Sequence, residues 1–171
     1  MPDSSRIQLG ELRVEVLEER HLELLKRFEA DVKELKDFLV EDAYNNQQWA
    51  ISTTYLWFYN PTNDLVAYMT VLNDAIRVHG TQLGKQFVDM GVNYKTLPAM
   101  KIGRMCVDNK YLKRGIGTYL TEYAMHLVLR NIEISGCRFL VLDAKTQTGA
   151  QHFYKKRGFQ VLKQREKGTI P

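Results

Sequence analysis

Residues 105–118 read M-C-V-D-N-K-Y-L-K-R-G-I-G-T, and an amphipathic run over 119–132 follows at once. Residues 100–107 are mostly apolar and read as a buried strand, which puts the two glycines at a strand-to-helix turn. Gly115 and Gly117 remove side-chain bulk where backbone N–H groups must close around a ligand. A helix beginning near Gly117 leaves its first N–H groups unpaired and carries partial positive charge at that end. These features predict an anion cradle the size of a phosphate or pyrophosphate, with Lys113 and Arg114 adding cations at its rim. An ordinary tight turn at a helix start is the alternative reading of the same residues. The stretch is not a Walker loop, because no G-K-[ST] follows at the required distance. Nor is it a dinucleotide fingerprint, since the third glycine is missing and residues 119–121 offer no substitute.

Outward from the turn, apolar residues at Leu120, Tyr123, Ala124, Leu127 and Val128 predict a helix over 118–132, closed by Gly136. Residues 139–142 are four apolar residues in a row and suit a central strand buried on both faces. This strand–helix–strand unit implies a parallel pair. On the amino-terminal side, Leu12, Val14 and Val16 alternate with charges and predict a half-buried first strand. Leu22, Leu25, Phe28, Val32, Leu35 and Leu39 are spaced for an amphipathic helical stretch, broken once. Residues 51–59 and 65–72 are β-branched and aromatic, and the N-P-T-N-D between them joins them as a hairpin. Residues 73–98, with Gly80, Gly84, Gly91 and Pro98, read as an irregular excursion. Past the parallel pair, Thr146 or Thr148 is placed to cap a short helix reaching Lys156, and residues 159–163 close the chain as a last strand. The pattern is that of one α/β domain over residues 1–171, with a mixed sheet flanked by helices.

The 171 residues are 44% hydrophobic and 26% charged, the composition of a soluble globular protein. No apolar stretch reaches membrane-spanning length, and the first residues carry no signal-peptide hydrophobic region. Cys106 and Cys137 sit in apolar runs without metal-ligand spacing and read as free thiols of a reducing cytosol, so the expected location is cytoplasmic. His21, His79, His126 and His152 are scattered, which gives a metal site no support. The net charge of +4 conceals a division. Residues 1–100 hold 10 Lys and Arg against 15 Asp and Glu, whereas residues 101–171 hold 14 against 5. The basic half contains the glycine turn. A phosphorylated cofactor and a nucleic acid would both be drawn to it, and charge alone does not separate them.

These motifs taken in order resemble the GNAT acyltransferase superfamily. The resemblance covers roughly residues 50–165 and is strongest over 101–159, with a cofactor-binding core at about 100–160. It rests on the apolar strand ending C-V-D, the turn L-K-R-G-I-G-T, the helix after it, the strand F-L-V-L-D-A-K and the final H-F-Y-K-K-R-G-F. What it implies is an acetyl-CoA-dependent N-acetyltransferase acting by direct attack of a primary amine. Members bind the pantetheine arm on the strand matching Met105, Cys106 and Val107. They hold the pyrophosphate on the turn matching Lys113, Arg114, Gly115, Ile116, Gly117 and Thr118. The matching tyrosine, Tyr154, commonly lies near the thioester sulfur, where a phenol can protonate the departing thiolate. Packing beside Phe153 and Phe159 is the alternative role for that ring. A strand N–H near Cys106 would serve the oxyanion.

Three positions depart from the family pattern. Leu112 stands where Gln or Arg is usual, although the phosphate-binding N–H groups belong to the backbone. Gln147 replaces the asparagine that often precedes the tyrosine by seven residues. Leu142 occupies the place where some relatives carry a glutamate base, and Asp143 faces the other way by alternation. No general base is therefore assigned. Cys106 as an acyl-enzyme nucleophile ranks low, because direct transfer needs none and no His partner is evident.

The amino-terminal layout, E-L-K-D-F-L-V-E-D-A-Y, then T-Y-L-W-F-Y, then L-V-A-Y-M-T-V-L, resembles GNAT toxins of bacterial toxin–antitoxin pairs. Those enzymes acetylate the amino group of aminoacylated tRNA, so tRNA enters as a partner alongside an amine acceptor of undetermined class. Two rivals remain: a catalytically silent CoA-binding module and a nucleic-acid binder using the basic half. A homodimer is compatible with the size.

Overall fold

The first apolar–charged stretch forms a largely half-buried strand in the computed structural model of the protein, which describes residues 5–144 and 149–162. Strand β1 spans Leu12–Val16, β2 Thr53–Tyr59, β3 Asp64–Arg77, β4 Thr96–Val107 and β5 Phe139–Leu142, side by side in the order β1-β2-β3-β4-β5. β1 pairs antiparallel with β2, with Leu12 opposite Tyr59 and Val16 opposite Tyr55. β2 and β3 form the expected hairpin, with a register shift at Trp57/Phe58. β4 and β5 pair in parallel from Ala99↔Phe139 to Ile102↔Leu142. The sheet is mixed, as the sequence implied.

Contacts group the chain into two compact units, one running to Asp74 and resuming over Pro98–Leu142, the other comprising Ala75–Leu97 and the residues after Leu142. In the first, the two-residue period of the strands distributes side chains to two cores. Trp57, Val66, Met69, Met100 and Ile102 pack with Ile116, Leu120, Ala124 and Val128 of α5, the helix Ile116–Ser135. Leu56, Phe58 and Tyr68 pack with Leu17, Leu25, Phe28, Leu39 and Ala43. Each large side chain so buried contributes about 1.5–3 kcal/mol of transfer free energy, which offsets the ordering cost of the helices. The helices on the second core are α1 (Leu22–Leu25), α2 (Lys33–Asp37) and α3 (Ala43–Gln48). A π-helical turn, Phe38–Asp42, joins α2 to α3 and is closed by the Ala43 N–H on Phe38 O. The helical stretch thus breaks as expected but continues past Leu39, where the next inward residue is a small alanine among polar neighbours. Tyr68 is fully buried and its hydroxyl donates to Leu35 O at 2.7 Å, so the phenol does not go unpaired.

Asp108, just beyond β4, is 4% exposed. Its carboxylate accepts from the Glu29 N–H (2.8 Å) and the Lys110 N–H (2.9 Å), tying the segment after α1 to the entry of the glycine turn. Bonds to a charged acceptor are worth about 1.5–3 kcal/mol each. Asp108→Ala is therefore expected to cost roughly 3 kcal/mol or more, read as a lowered midpoint in thermal or urea denaturation.

In the second unit, residues expected to be irregular hold regular structure. β3 runs on to Arg77, β4 starts at Thr96, and α4 (Gln82–Asp89) lies between. The Thr81 hydroxyl caps α4 by accepting the Gly84 N–H at 3.0 Å. Gly84, read as a breaker, sits inside the helix because a Cβ there would fall 2.1 Å from Val78 O. Helix α6 (Ala150–Lys155) follows Gly149 at its N-cap. Thr146 and Thr148 lie outside the described residues, as does Lys163. Residues 159–162 take no strand conformation, so the expected closing strand is absent there. Among the described residues β5 is the last strand in the sheet order, and its four residues are half-buried. Among the described residues no helix is long and apolar enough to cross a membrane, and no three His, Cys, Asp or Glu side chains gather as metal ligands.

Candidate cofactor site

The turn after β4 is built from two left-handed residues. Lys113 has φ +62° although it is not glycine, and Gly115 has φ +87° and serves as the N-cap of α5. Alternating backbone hands make successive N–H groups converge, which is the geometry of an anion nest. The helix starts at Ile116, earlier than the expected 118, so Gly117 lies inside its first turn, and its carbonyl accepts the Thr121 hydroxyl at 2.9 Å. The Thr118 N–H closes on Gly115 O at 3.2 Å. The N–H groups of Gly115, Ile116 and Gly117 have no hydrogen-bond partner among the described residues. They stand at the positive end of a helix of 20 residues. A side chain at Gly115 would intrude on this space, since its Cβ would lie 3.2–3.3 Å from the Arg6 side chain. An anion such as a diphosphate fits this donor set.

The cations flanking the turn differ in disposition. Lys113 is exposed. The Arg114 guanidinium rests on the rings of Tyr59 and Tyr111, 5.6 and 5.3 Å from their centroids, and its Nε donates to Ser5 O at 3.0 Å. Tyr111 in turn donates to the Asp64 carboxylate, which this bond holds below the usual carboxylate range. Arg114 is thus seated on aromatic faces through its side chain while its backbone belongs to the turn.

Upstream, β4 runs five residues past its last pair with β5, at Ile102↔Leu142. Residues 103–107 consequently leave β4 open on that side among the described residues. Asp108 N–H is engaged with Val66 O of β3 at 2.8 Å. By strand alternation the N–H groups of Met105 and Val107 turn to the opposite, open side. Such an edge is a ready template for an extended amide-bearing arm. Cys106 packs against the second core, near Tyr68. Burial, with Asp108 and Asp31 nearby, pushes its thiol up to about 12, and both cysteines are free.

Met105, Cys106, Val107 and residues 113–118 therefore all belong to the first unit, on β4 and on the turn and helix start that follow it. Tyr154 belongs to the second unit, on α6. Its ring meets Phe153 (5.1 Å, 87°) and Phe159 (5.5 Å, 70°) edge-on, and its hydroxyl makes no hydrogen bond among the described residues. Burial raises its pKa, against the partly compensating charge of Arg157. Gln147 lies outside the described residues. Sequence reading missed Arg6 altogether, because nothing in M-P-D-S-S-R-I-Q marks a residue that approaches Gly115.

The acetyltransferase (GNAT) domain family matches residues 65–161. No curated protein matches the chain in sequence. Among solved structures it is similar to AtaT complexed with acetyl-methionyl-tRNAfMet, at TM-score 0.79 and 23% identity over 91% of this chain and 90% of that one. It is also similar to a tyrosine-to-phenylalanine mutant of KacT, at TM-score 0.79 and 21% identity over 93% and 91% of the two chains. A third is a mutant AtaT toxin bound to the C-terminus of the antitoxin AtaR and acetyl-CoA, at TM-score 0.71 and 22% identity over 90% and 88%. At these identities the likeness is one of fold.

Proposed function

The chain belongs to the GNAT acetyltransferase family, and from that premise we propose that it moves the acetyl group of acetyl-CoA directly onto a primary amine, as one catalytic domain. The observation that carries the reading is the set of unengaged amides at Gly115, Ile116 and Gly117 on a left-handed turn. In this reading those amides, with Lys113, Arg114 and Thr118 around them, hold the diphosphate of coenzyme A. The open edge at Met105, Cys106 and Val107 aligns the pantetheine arm. Acetyl-CoA supplies the activated acyl group. An N–H of Met105 or Val107 stabilises the negative charge that develops on the carbonyl oxygen. Tyr154, kept neutral by burial, hands its proton to the departing thiolate. The amine attacks only in its neutral form, and with Leu142 in place of a β5 carboxylate its proton passes to water. Cys106 takes no covalent part, because a thiol raised to about 12 is protonated at neutral pH.

The acceptor we infer is the α-amino group of an aminoacylated tRNA. Two things support it: the likeness to AtaT, whose structure holds acetyl-methionyl-tRNAfMet, and the excess of 14 Lys and Arg over 5 Asp and Glu in residues 101–171. A polyanionic substrate suits such a surface, and binding should weaken steeply with salt. Two measurements test the reading. Acetyl-CoA at about 100 times its Kd should stabilise the fold by about 2.7 kcal/mol, a rise in melting temperature of roughly 5–10 °C. Mass spectrometry should then find acetylated aminoacyl-tRNA rather than acetylated polyamine. No thermal shift would remove the cofactor reading, and a shift with no product from any amine would leave the silent CoA-binding module.

A further inference from the structure

The chain's opening segment is laced to the glycine turn from more than a hundred residues away. Ile7 is 1% exposed; its N–H donates to Arg114 O at 3.1 Å, and its carbonyl accepts the Tyr119 hydroxyl at 3.1 Å. Arg114 Nε holds Ser5 O at 3.0 Å. Between these anchors Arg6 sends its side chain over Gly115, so that a Cβ there would lie 3.2 Å from Arg6 Nε and 3.3 Å from its Cγ. The guanidinium has no hydrogen bond and no ion pair among the described residues. A cation thus lies beside the positive end of α5, and among the described residues no carboxylate is paired with it. That arrangement is electrostatically unfavourable until an anion lies between the two.

We propose that Arg6 is a binding residue for the diphosphate of coenzyme A, held in place by the Ser5–Ile7 segment; this rests on the cofactor reading above. Arg114 contributes its backbone to the turn, but its side chain is ill-placed to grip the diphosphate, since its guanidinium is engaged with Tyr59, Tyr111 and Ser5. Arg6 supplies instead a planar fork of donors that a diphosphate oxygen pair can accept, and such charge-assisted bonds are the stronger class.

Calorimetric titration of the full chain with coenzyme A and with 3′-dephospho-coenzyme A tests this. Arg6→Gln should weaken both ligands alike, by about tenfold or more, and should flatten the loss of affinity with added salt. Arg6→Lys, which keeps the charge but not the fork, should fall between. The melting temperature of the ligand-free variants should not fall below the wild-type value, because the side chain is exposed. Unchanged affinity in Arg6→Gln overturns the proposal, and so does a loss confined to the ligand that carries the 3′-phosphate. If the wild-type protein itself binds neither ligand, the cofactor reading fails first and this assignment with it.

Discussion

Tyr154→Phe is expected to lower kcat for acetyl transfer by about 10²–10⁴, the usual contribution of a positioned proton donor, while the Kd for acetyl-CoA stays within about twofold. The substitution deletes one oxygen and keeps the ring. Edge-on contacts with Phe153 and Phe159 are therefore preserved. The hydroxyl has no hydrogen-bond partner among the described residues, so its removal leaves no orphaned donor or acceptor, and the melting temperature should hardly move. The pH dependence has a definite sign. Burial raises the phenol above its ordinary value of about 10, so the proton-donating form persists through the neutral and mildly alkaline range. The pH profile should then rise as the acceptor amine loses its proton and show no descending limb from Tyr154 below about pH 10. In Tyr154→Phe the rising limb should remain with its height reduced. Equal losses in kcat and cofactor affinity, together with a lower melting temperature, would instead give the ring a packing role.

What the sequence disclosed, and what it concealed, follows from the range of the interactions involved. The turn at 105–118 was legible because its determinants are local: a glycine that takes φ +87°, an apolar strand before it and a 3.6-period face after it. The β2–β3 hairpin and the parallel β4–β5 pair were legible for the same reason. α4 was not, since Gly84 reads as a breaker until Val78 O is found against it, a constraint visible only in three dimensions. The burial of β5 was harder to read, because four apolar residues suggest a strand covered on both faces, whereas among the described residues they are half-buried. At the site, Lys113 and Arg114 announced themselves by adjacency to the glycines. The separate fate of their side chains did not, because Tyr59 and Tyr111 come from distant parts of the chain. Arg6 was hidden for the same reason. One solitary basic residue in a polar segment carries no periodicity, and only the hydrogen bonds of Ile7 to Arg114 and Tyr119 show where it goes.

Gly115→Ala joins these local and distant determinants in one residue, and it should raise the Kd for acetyl-CoA at least about tenfold, equivalent to about 1.4 kcal/mol. Two costs arise at once. A residue with a Cβ at φ +87° costs about 1–2 kcal/mol in the left-handed region. The new methyl also comes within 3.2–3.3 Å of Arg6. Because Arg6 is a flexible side chain it can yield, so the crowding displaces a cation rather than the backbone. The torsional strain has no such relief, except by rotating the peptide and turning the amides of Ile116 and Gly117 out of the nest. The ligand-free protein should accordingly melt a few degrees lower, at about 2–4 °C per kcal/mol for a chain of this size. Gly115→Asn separates the two effects, since asparagine tolerates left-handed backbone but still presents a Cβ to Arg6. It should recover most of the lost stability and only part of the lost affinity. If Gly115→Ala instead binds acetyl-CoA as tightly as the wild type, the amides at the start of α5 are not what holds the diphosphate.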